Sequence, residues 1–216
     1  MNNQTAVFLL ALAAFAPAAQ AQDAAAGEKK AAMCIGCHGI PGYQASFPDV
    51  HKVPMISGQG AKYIANSLAA YKKGERRHPT MRGISVSLSE KDMADLAAYY
   101  EKHGASSVKA VADMPAAQPS AEVAALLTKG GCVACHGANF SKPIDASYPK
   151  IAGQHADYLF VALRAYSIEG NSNVGRGNAI MAGQVKQFKR DELKLMAKYI
   201  GSLPGELRTV PQNKFK

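Results

Sequence analysis

Six residues in this chain fall into two copies of one arrangement: Cys34-Ile35-Gly36-Cys37-His38 and Cys132-Val133-Ala134-Cys135-His136. At C-x-x-C-H spacing, two thiols can add to the two vinyl groups of a haem while the adjacent histidine reaches the iron. The two motifs use all four cysteines of the 216-residue chain, so none is left over for other chemistry. Two covalently held haems then need three further things from the sequence. These are a second axial ligand for each iron, something to fix each imidazole, and helices to wrap the macrocycle.

His38 and His136 each supply one axial position. The sixth position decides function, because a strong second ligand gives an electron carrier and an open one admits ligands and catalysis. Met81 and Met181 follow their histidines by 43 and 45 residues, in Pro79-Thr80-Met81-Arg82-Gly83 and Ala179-Ile180-Met181-Ala182-Gly183. A methionine is ordinarily core filler. These two sit at matched positions in polar, Gly-rich stretches expected to be loops, which favours a ligand role for both. Met93 and Met196 fall at core spacing in the last helices, and Met33 and Met55 have no methionine at the matched position of the other half. His78 is the rival ligand near Met81, but the second half has no histidine in that stretch. His51, His103 and His155 read as surface or loop residues. A metal-bound imidazole normally donates its other N–H to a carbonyl, and Pro54 and Pro149 are candidates to supply it, the alternative being plain loop prolines. Gln59 and Gln154, followed by Tyr63 and Tyr158, are expected to cap and anchor the middle helix, with a hydrogen bond to a haem propionate as the alternative.

These residues recur because the chain is an internal repeat. Cys34 maps onto Cys132 at an offset of 98, Pro54 to Gln59 onto Pro149 to Gln154 at 95, and Met81 onto Met181 at 100. Tyr63 and Tyr71 map onto Tyr158 and Tyr166 at 95. Loop insertions produce such shifts between blocks. Each half reads as three helices: Ala24 to Met33, Ala61 to Lys73 and Ser89 to Lys102, then Ala121 to Lys129, His155 to Ile168 and Lys189 to Ser202. Apolar residues recur at helical spacing in each, as at Met93, Leu96, Ala97 and Tyr100, and Ser89-Glu90-Lys91-Asp92 resembles a capping box. No run alternates as a strand. Pro115, Pro119 and many alanines mark residues 104–120 as a linker between residues 22–103 and 121–216.

The first 21 residues read as an export signal rather than fold: an apolar run from Ala6 to Pro17, then Ala19-Gln20-Ala21, with cleavage expected after Ala21. An N-terminal anchor is the alternative, but about a dozen residues fall short of the roughly 20 that a bilayer span needs. The remaining 195 residues contain no tryptophan, so two small cores built from them call for a staple such as a buried macrocycle. The formal charge of +9 is spread as +4 over residues 22–112 and +5 over 113–216. That is not the blocky basic tail of a nucleic-acid binder. Four propionates would lower it to about +5, a balance suited to solubility or to steering toward an acidic protein face.

On the doubled C-x-x-C-H, the P-x-I-x-G-Q-x-x-x-Y block in each half and the matched methionines, the chain resembles the dihaem class I c-type cytochromes, and within them the cytochrome c4 family. The resemblance spans about residues 24 to 203. It implies an all-α fold of two tandem class I cytochrome c domains, related by internal duplication and each wrapped around a covalent haem. It implies two haem c cofactors, with Cys34, Cys37, Cys132 and Cys135 carrying the thioethers and His38, Met81, His136 and Met181 ligating iron. The family's two domains are related by a pseudo-twofold axis with haem edges close together. Its members shuttle electrons in the periplasm, often membrane-associated, toward terminal haem–copper oxidases. The partners implied are therefore redox proteins, a membrane oxidase or reductase, with no nucleic acid and no integral span. One departure stands out: residues 39–53 are about three residues longer than their counterpart at 137–148, and richer in aromatics and prolines.

The sequence shows no acid/base pair, nucleophile motif or nucleotide loop, so an electron carrier without its own substrate site is the leading reading. The alternatives are the cytochrome subunit of a periplasmic dehydrogenase and, less favoured, a dihaem peroxidase, which would need one iron able to lose its sixth ligand. A four-cysteine zinc site would make both histidines and both methionines coincidences.

Overall fold

Capping chemistry sets where the helices begin. A computed structural model describes residues 22–105, 111–115 and 117–211. The expected export segment, residues 1–21, and part of the 104–120 linker lie outside these. In the first half, α1 (Ala24–Lys30) starts where the Asp23 carboxylate accepts from the Ala25 and Ala26 N–H groups. A one-residue break separates it from α2 (Ala32–His38). The middle helix, α3 (Ala61–Lys73), stops at Gly74, whose φ of +78° lies in the left-handed region that ends helices without a Cβ penalty. A short helix, α4 (Pro79–Val86), precedes α5 (Glu90–Lys102), which opens on the Ser89/Asp92 capping box.

The second half repeats the plan with α6 (Ala121–Lys129), α7 (Cys132–His136), α8 (Ala156–Ala165), α9 (Ala179–Val185) and α10 (Arg190–Ser202). Among the described residues each half thus has five helices rather than the three expected, the additions being the motif helices and the short α4 and α9. The described residues also contain four two-residue strands that no alternation announced. β1 (Gln44–Ala45) pairs antiparallel with β2 (His51–Lys52), and β3 (Arg76–Arg77) pairs antiparallel with β4 (Gly175–Arg176).

Each half has its own core. In the first, Ile64 of α3 meets Met93, Leu96 and Ala97 of α5, with Ala31 and Tyr100 closing the cluster against Cys34. In the second, Leu126 and Leu127 of α6 meet Leu159 of α8 and Leu193, Met196 and Ile200 of α10, with Cys132 and Met181 packed against them. Burying one such leucine contributes roughly 1.5–3 kcal/mol, so these stripes fix the helix arrangement. Met93 and Met196 are core residues, as their spacing implied. At the α1–α5 crossing the backbones nearly touch: a Cβ on Gly27 would lie 2.1 Å from the Asp95 carbonyl oxygen. The buried Asp95 carboxylate ties the two helices further, accepting from Asp23 N–H and from the Lys30 and Lys91 ammonium groups. These charge-assisted bonds hold its pKa down, at about 2.

The halves are joined by more than the linker. β3 and β4 come from different halves, so their pairing bridges the boundary. The backbone at Ser57 pairs with Arg208 of the C-terminal segment. The long 39–53 segment turns inward as well: Lys52 bonds to Asp157 at 3.3 Å and Asp49 to Arg164. His51, expected as a surface or loop residue, lies on β2 and is buried against the Tyr158 ring.

Candidate functional site

Each cysteine pair sits on one helical face, because residues three apart on a helix are neighbours. Cys34 and Cys37 lie on α2 with His38 as its last residue, and Cys132 and Cys135 lie on α7 with His136 in the same place. None of the four is paired in a disulfide, and no group of three or more His, Cys, Asp or Glu among the described residues is arranged to hold a metal ion. The zinc alternative therefore gains nothing from the geometry. Burial raises the pKa of Cys34 and Cys132, so neither is a ready thiolate.

The prolines are where the imidazoles need them. His38 Nδ1 lies 2.8 Å from the Pro54 carbonyl oxygen, and His136 Nδ1 lies 3.0 Å from that of Pro149. A carbonyl can only accept, so each Nδ1 carries the proton and each Nε2 keeps a lone pair. Burial lowers both histidine pKa values, against the pull of the proline carbonyls. Arg76 and His78 add to the lowering at His38. Both rings are thereby held as neutral imidazoles with one nitrogen free to bind a metal, the form an iron-ligating histidine requires.

Met81 and Met181 are not in loops. Each is the third residue of a short helix, α4 or α9, and each is half-buried. The caps are equivalent in the two halves: Met81 N–H donates to His78 Nδ1 at 3.4 Å, and Met181 N–H donates to Asn178 Oδ1 at 2.9 Å. His78 is thus occupied as a helix cap, and its ring also bonds to the main chain of Phe47. The signal for both helices was present as a cap residue three before each methionine, with Pro79 at the first helical position.

Sequence reasoning missed the centre of the molecule. Between the halves, Arg76 and Arg176 share one phenol: their Nη2 atoms donate to Tyr158 at 2.8 and 2.9 Å. Arg76 Nη1 also donates to Tyr63 at 3.3 Å, and its guanidinium lies 4.6 Å over the Tyr71 ring. Burial alone would raise the Tyr63 pKa, but Arg76 and Arg176 outweigh it and bring the phenol down to about 8. No carboxylate among the described residues forms an ion pair with either arginine, and the buried Nε atoms of Arg76 and Arg77 have no partner. Two like charges held half-buried side by side without an acid call for anions. Haem propionates are chemically suited to that pair, as the N/S donor set of His and Met is to haem iron.

Gln59 and Gln154 meet the start of the middle helix, as expected: each Oε1 accepts from the N–H of the residue just before that helix, Gly60 or His155, at 3.0 Å. Both are buried, and both reach across the boundary. Gln59 Oε1 accepts from Lys150 N–H and its Nε2 donates to the Lys150 carbonyl, each at 2.9 Å. Gln154 does the same to Met55, at 3.0 and 2.9 Å.

Comparison with known proteins places this geometry. The cytochrome c family model matches residues 24–103 and 120–204. Cytochrome c4 of Azotobacter vinelandii is 30% identical, over 94% of this chain and all of that protein. A thiosulfate dehydrogenase electron acceptor of Stutzerimonas stutzeri is also 30% identical, over 92% of each chain. The crystal structure of reduced recombinant cytochrome c4 from Pseudomonas stutzeri superposes with a TM-score of 0.59 at 27% identity, covering 85% of this chain and all of that one.

Proposed function

This chain belongs to the cytochrome c family in both halves, as a dihaem protein of the cytochrome c4 type, and we propose that it is a periplasmic carrier passing single electrons between respiratory partners toward a terminal oxidase. It binds two covalent haem c groups, one per half, and transfers electrons rather than converting a substrate. The observation that carries the reading is the matched pair of imidazoles, each neutral, each anchored at Nδ1 by a proline carbonyl and each adjacent to a cysteine pair.

The haem supplies a one-electron iron couple. The chain's residues do the rest. Cys34, Cys37, Cys132 and Cys135 hold the group by thioethers. His38 and His136 would each ligate iron through Nε2, with Pro54 and Pro149 fixing the ring and its tautomer. Met81 and Met181 would supply the second ligand, a thioether sulfur, from helices whose capped N-termini hold them still. Two strong protein ligands would favour electron transfer over ligand chemistry. The Arg76/Arg176 pair would offset propionate charge. The expected signal peptide would deliver the chain to the periplasm, where covalent haem attachment takes place. No helix among the described residues is long and apolar enough to cross a membrane, and peripheral association with one is compatible with the proposal.

A second reading, electron acceptor for a periplasmic dehydrogenase, is favoured by the relative that bears such a name. The two share all the residues above and differ only in the donor. A reduced-minus-oxidised spectrum with a haem count tests the common core: two haems per chain with a thioether–iron band are expected, and one or none overturns the proposal. Faster reduction by a thiosulfate-oxidising enzyme than by a quinol-oxidising complex would select the second reading.

A further inference from the structure

The peptide group that orients each ligand histidine belongs to one half but is held by the other. Pro54 C=O and Met55 N–H are the two ends of a single peptide. The carbonyl accepts from His38 Nδ1 at 2.8 Å, and the N–H donates to Gln154 Oε1 at 3.0 Å. In the other half, Pro149 C=O accepts from His136 Nδ1 at 3.0 Å, and Lys150 N–H of the same peptide donates to Gln59 Oε1 at 2.9 Å. Each glutamine amide nitrogen closes the clamp on the next carbonyl along, that of Met55 or Lys150. Both side chains are about 5% exposed or less, so water does not compete for these bonds.

We propose that Gln59 and Gln154 are reciprocal positioning residues, each tuning the haem of the opposite half through the peptide that its ligand histidine leans on. The inference rests on the proposed ligation by His38 and His136. Its physical basis is the mutual polarisation of hydrogen bonds in a chain. An amide that donates at N–H carries more negative charge on its carbonyl oxygen. The carbonyl then draws harder on the imidazole Nδ1–H, and the ring becomes a more electron-rich ligand. An electron-rich ligand favours ferric over ferrous iron, so each clamp lowers the potential of the haem across the boundary. The direction is crossed: Gln154 acts on the haem at Cys34 and Cys37, and Gln59 on the haem at Cys132 and Cys135.

The test uses the full-length holoprotein carrying Gln154→Met or Gln59→Met, with the haem-methyl proton resonances of each half followed through a redox titration. With Gln154→Met the first haem's potential rises and the second stays in place, and with Gln59→Met the pattern reverses. Gln154→Glu, which keeps an acceptor at Met55 N–H, does not raise the first haem's potential. Equal movement of both haems, or movement of the haem in the substituted half, indicates general loosening and overturns the proposal. So does an unchanged pair of potentials. If the variants fail to fold, scalar coupling across the hydrogen bond between Met55 N and the Gln154 side-chain carbonyl in the isotope-labelled native protein decides. The coupling is expected, and its absence overturns the clamp. Two intact thioether–iron bands with no crossed shift leave the ligation standing and remove the tuning alone, whereas loss of ligation shows first in the native spectrum.

Discussion

His38 and His136 gain their tautomer from a neutral main-chain carbonyl, not from a carboxylate. A carboxylate partner would pull harder on Nδ1–H and lower the potential, so under the proposed His/Met ligation a proline carbonyl and a thioether sulfur would both act to keep the iron couple high. The methionines carry the other half of that argument. Met81→His and Met181→His replace a soft sulfur with a stronger nitrogen donor. Each is expected to lower its own haem's potential by more than ~59 mV, a tenfold change for a one-electron couple, and to remove that site's thioether–iron absorption. Spectroelectrochemistry on the two variants reads both. An unchanged spectrum in either would move the ligand assignment elsewhere, and His78 would not be the replacement, since its Nδ1 accepts from Met81 N–H and its ring also bonds to the Phe47 main chain. At this scale the sequence was legible where spacing along the chain decides geometry, as at the cysteine pairs, their adjacent histidines and the proline carbonyls, while Met81 and Met181, expected in loops, lie on helices. It was silent at His51, whose burial depends on a Tyr158 ring 107 positions away.

The elements were legible where local signals fix their ends. The expected span Ala61 to Lys73 is α3 itself, stopped by Gly74, and Ala121 to Lys129 is α6, started by the Ser120 hydroxyl. The helices around Met81 and Met181 were hidden because seven or eight residues carry too short an apolar period, and Gly83 and Gly183 suggested loops. Glycine misled there but marks a contact at α1. Gly27 lets that helix lie directly on the Asp95 backbone, and the halves differ on this point, since α6 packs by Val123, Leu126 and Leu127 instead. Gly27→Val must therefore push α1 off α5, at a cost of about 1–3 kcal/mol for overpacking. The expected outcome is a lower unfolding midpoint, with α1 and α5 amides exchanging faster while α6 and α10 keep their protection. Uniform exchange throughout the chain would show that the crossing is not a local feature of the first half.

Duplication predicts two similar cores, and the sequence alone leaves them free to behave as beads on a string. The fold binds them by devices that come from both halves: the β3–β4 pair, the Tyr158 phenol shared by Arg76 and Arg176, the glutamine clamps, and the Ser57–Arg208 bridge. None of these was legible, because each joins residues at least 82 positions apart that neither periodicity nor a motif links. Their number has a thermodynamic consequence. If one half unfolds alone, the other is left with a buried backbone N–H and carbonyl that have lost their glutamine, each costing about 1–3 kcal/mol when unpaired, unless it too opens to water. That penalty is comparable with a large share of the roughly 5–15 kcal/mol that stabilises an ordinary domain. The two halves of the holoprotein are therefore expected to unfold in one transition, with calorimetric and van't Hoff enthalpies in agreement. The double variant Gln59→Met/Gln154→Met removes both clamps and should split that transition into two, the van't Hoff enthalpy falling below the calorimetric one. A native protein that already melts in two steps would show that the clamps add position without adding cohesion.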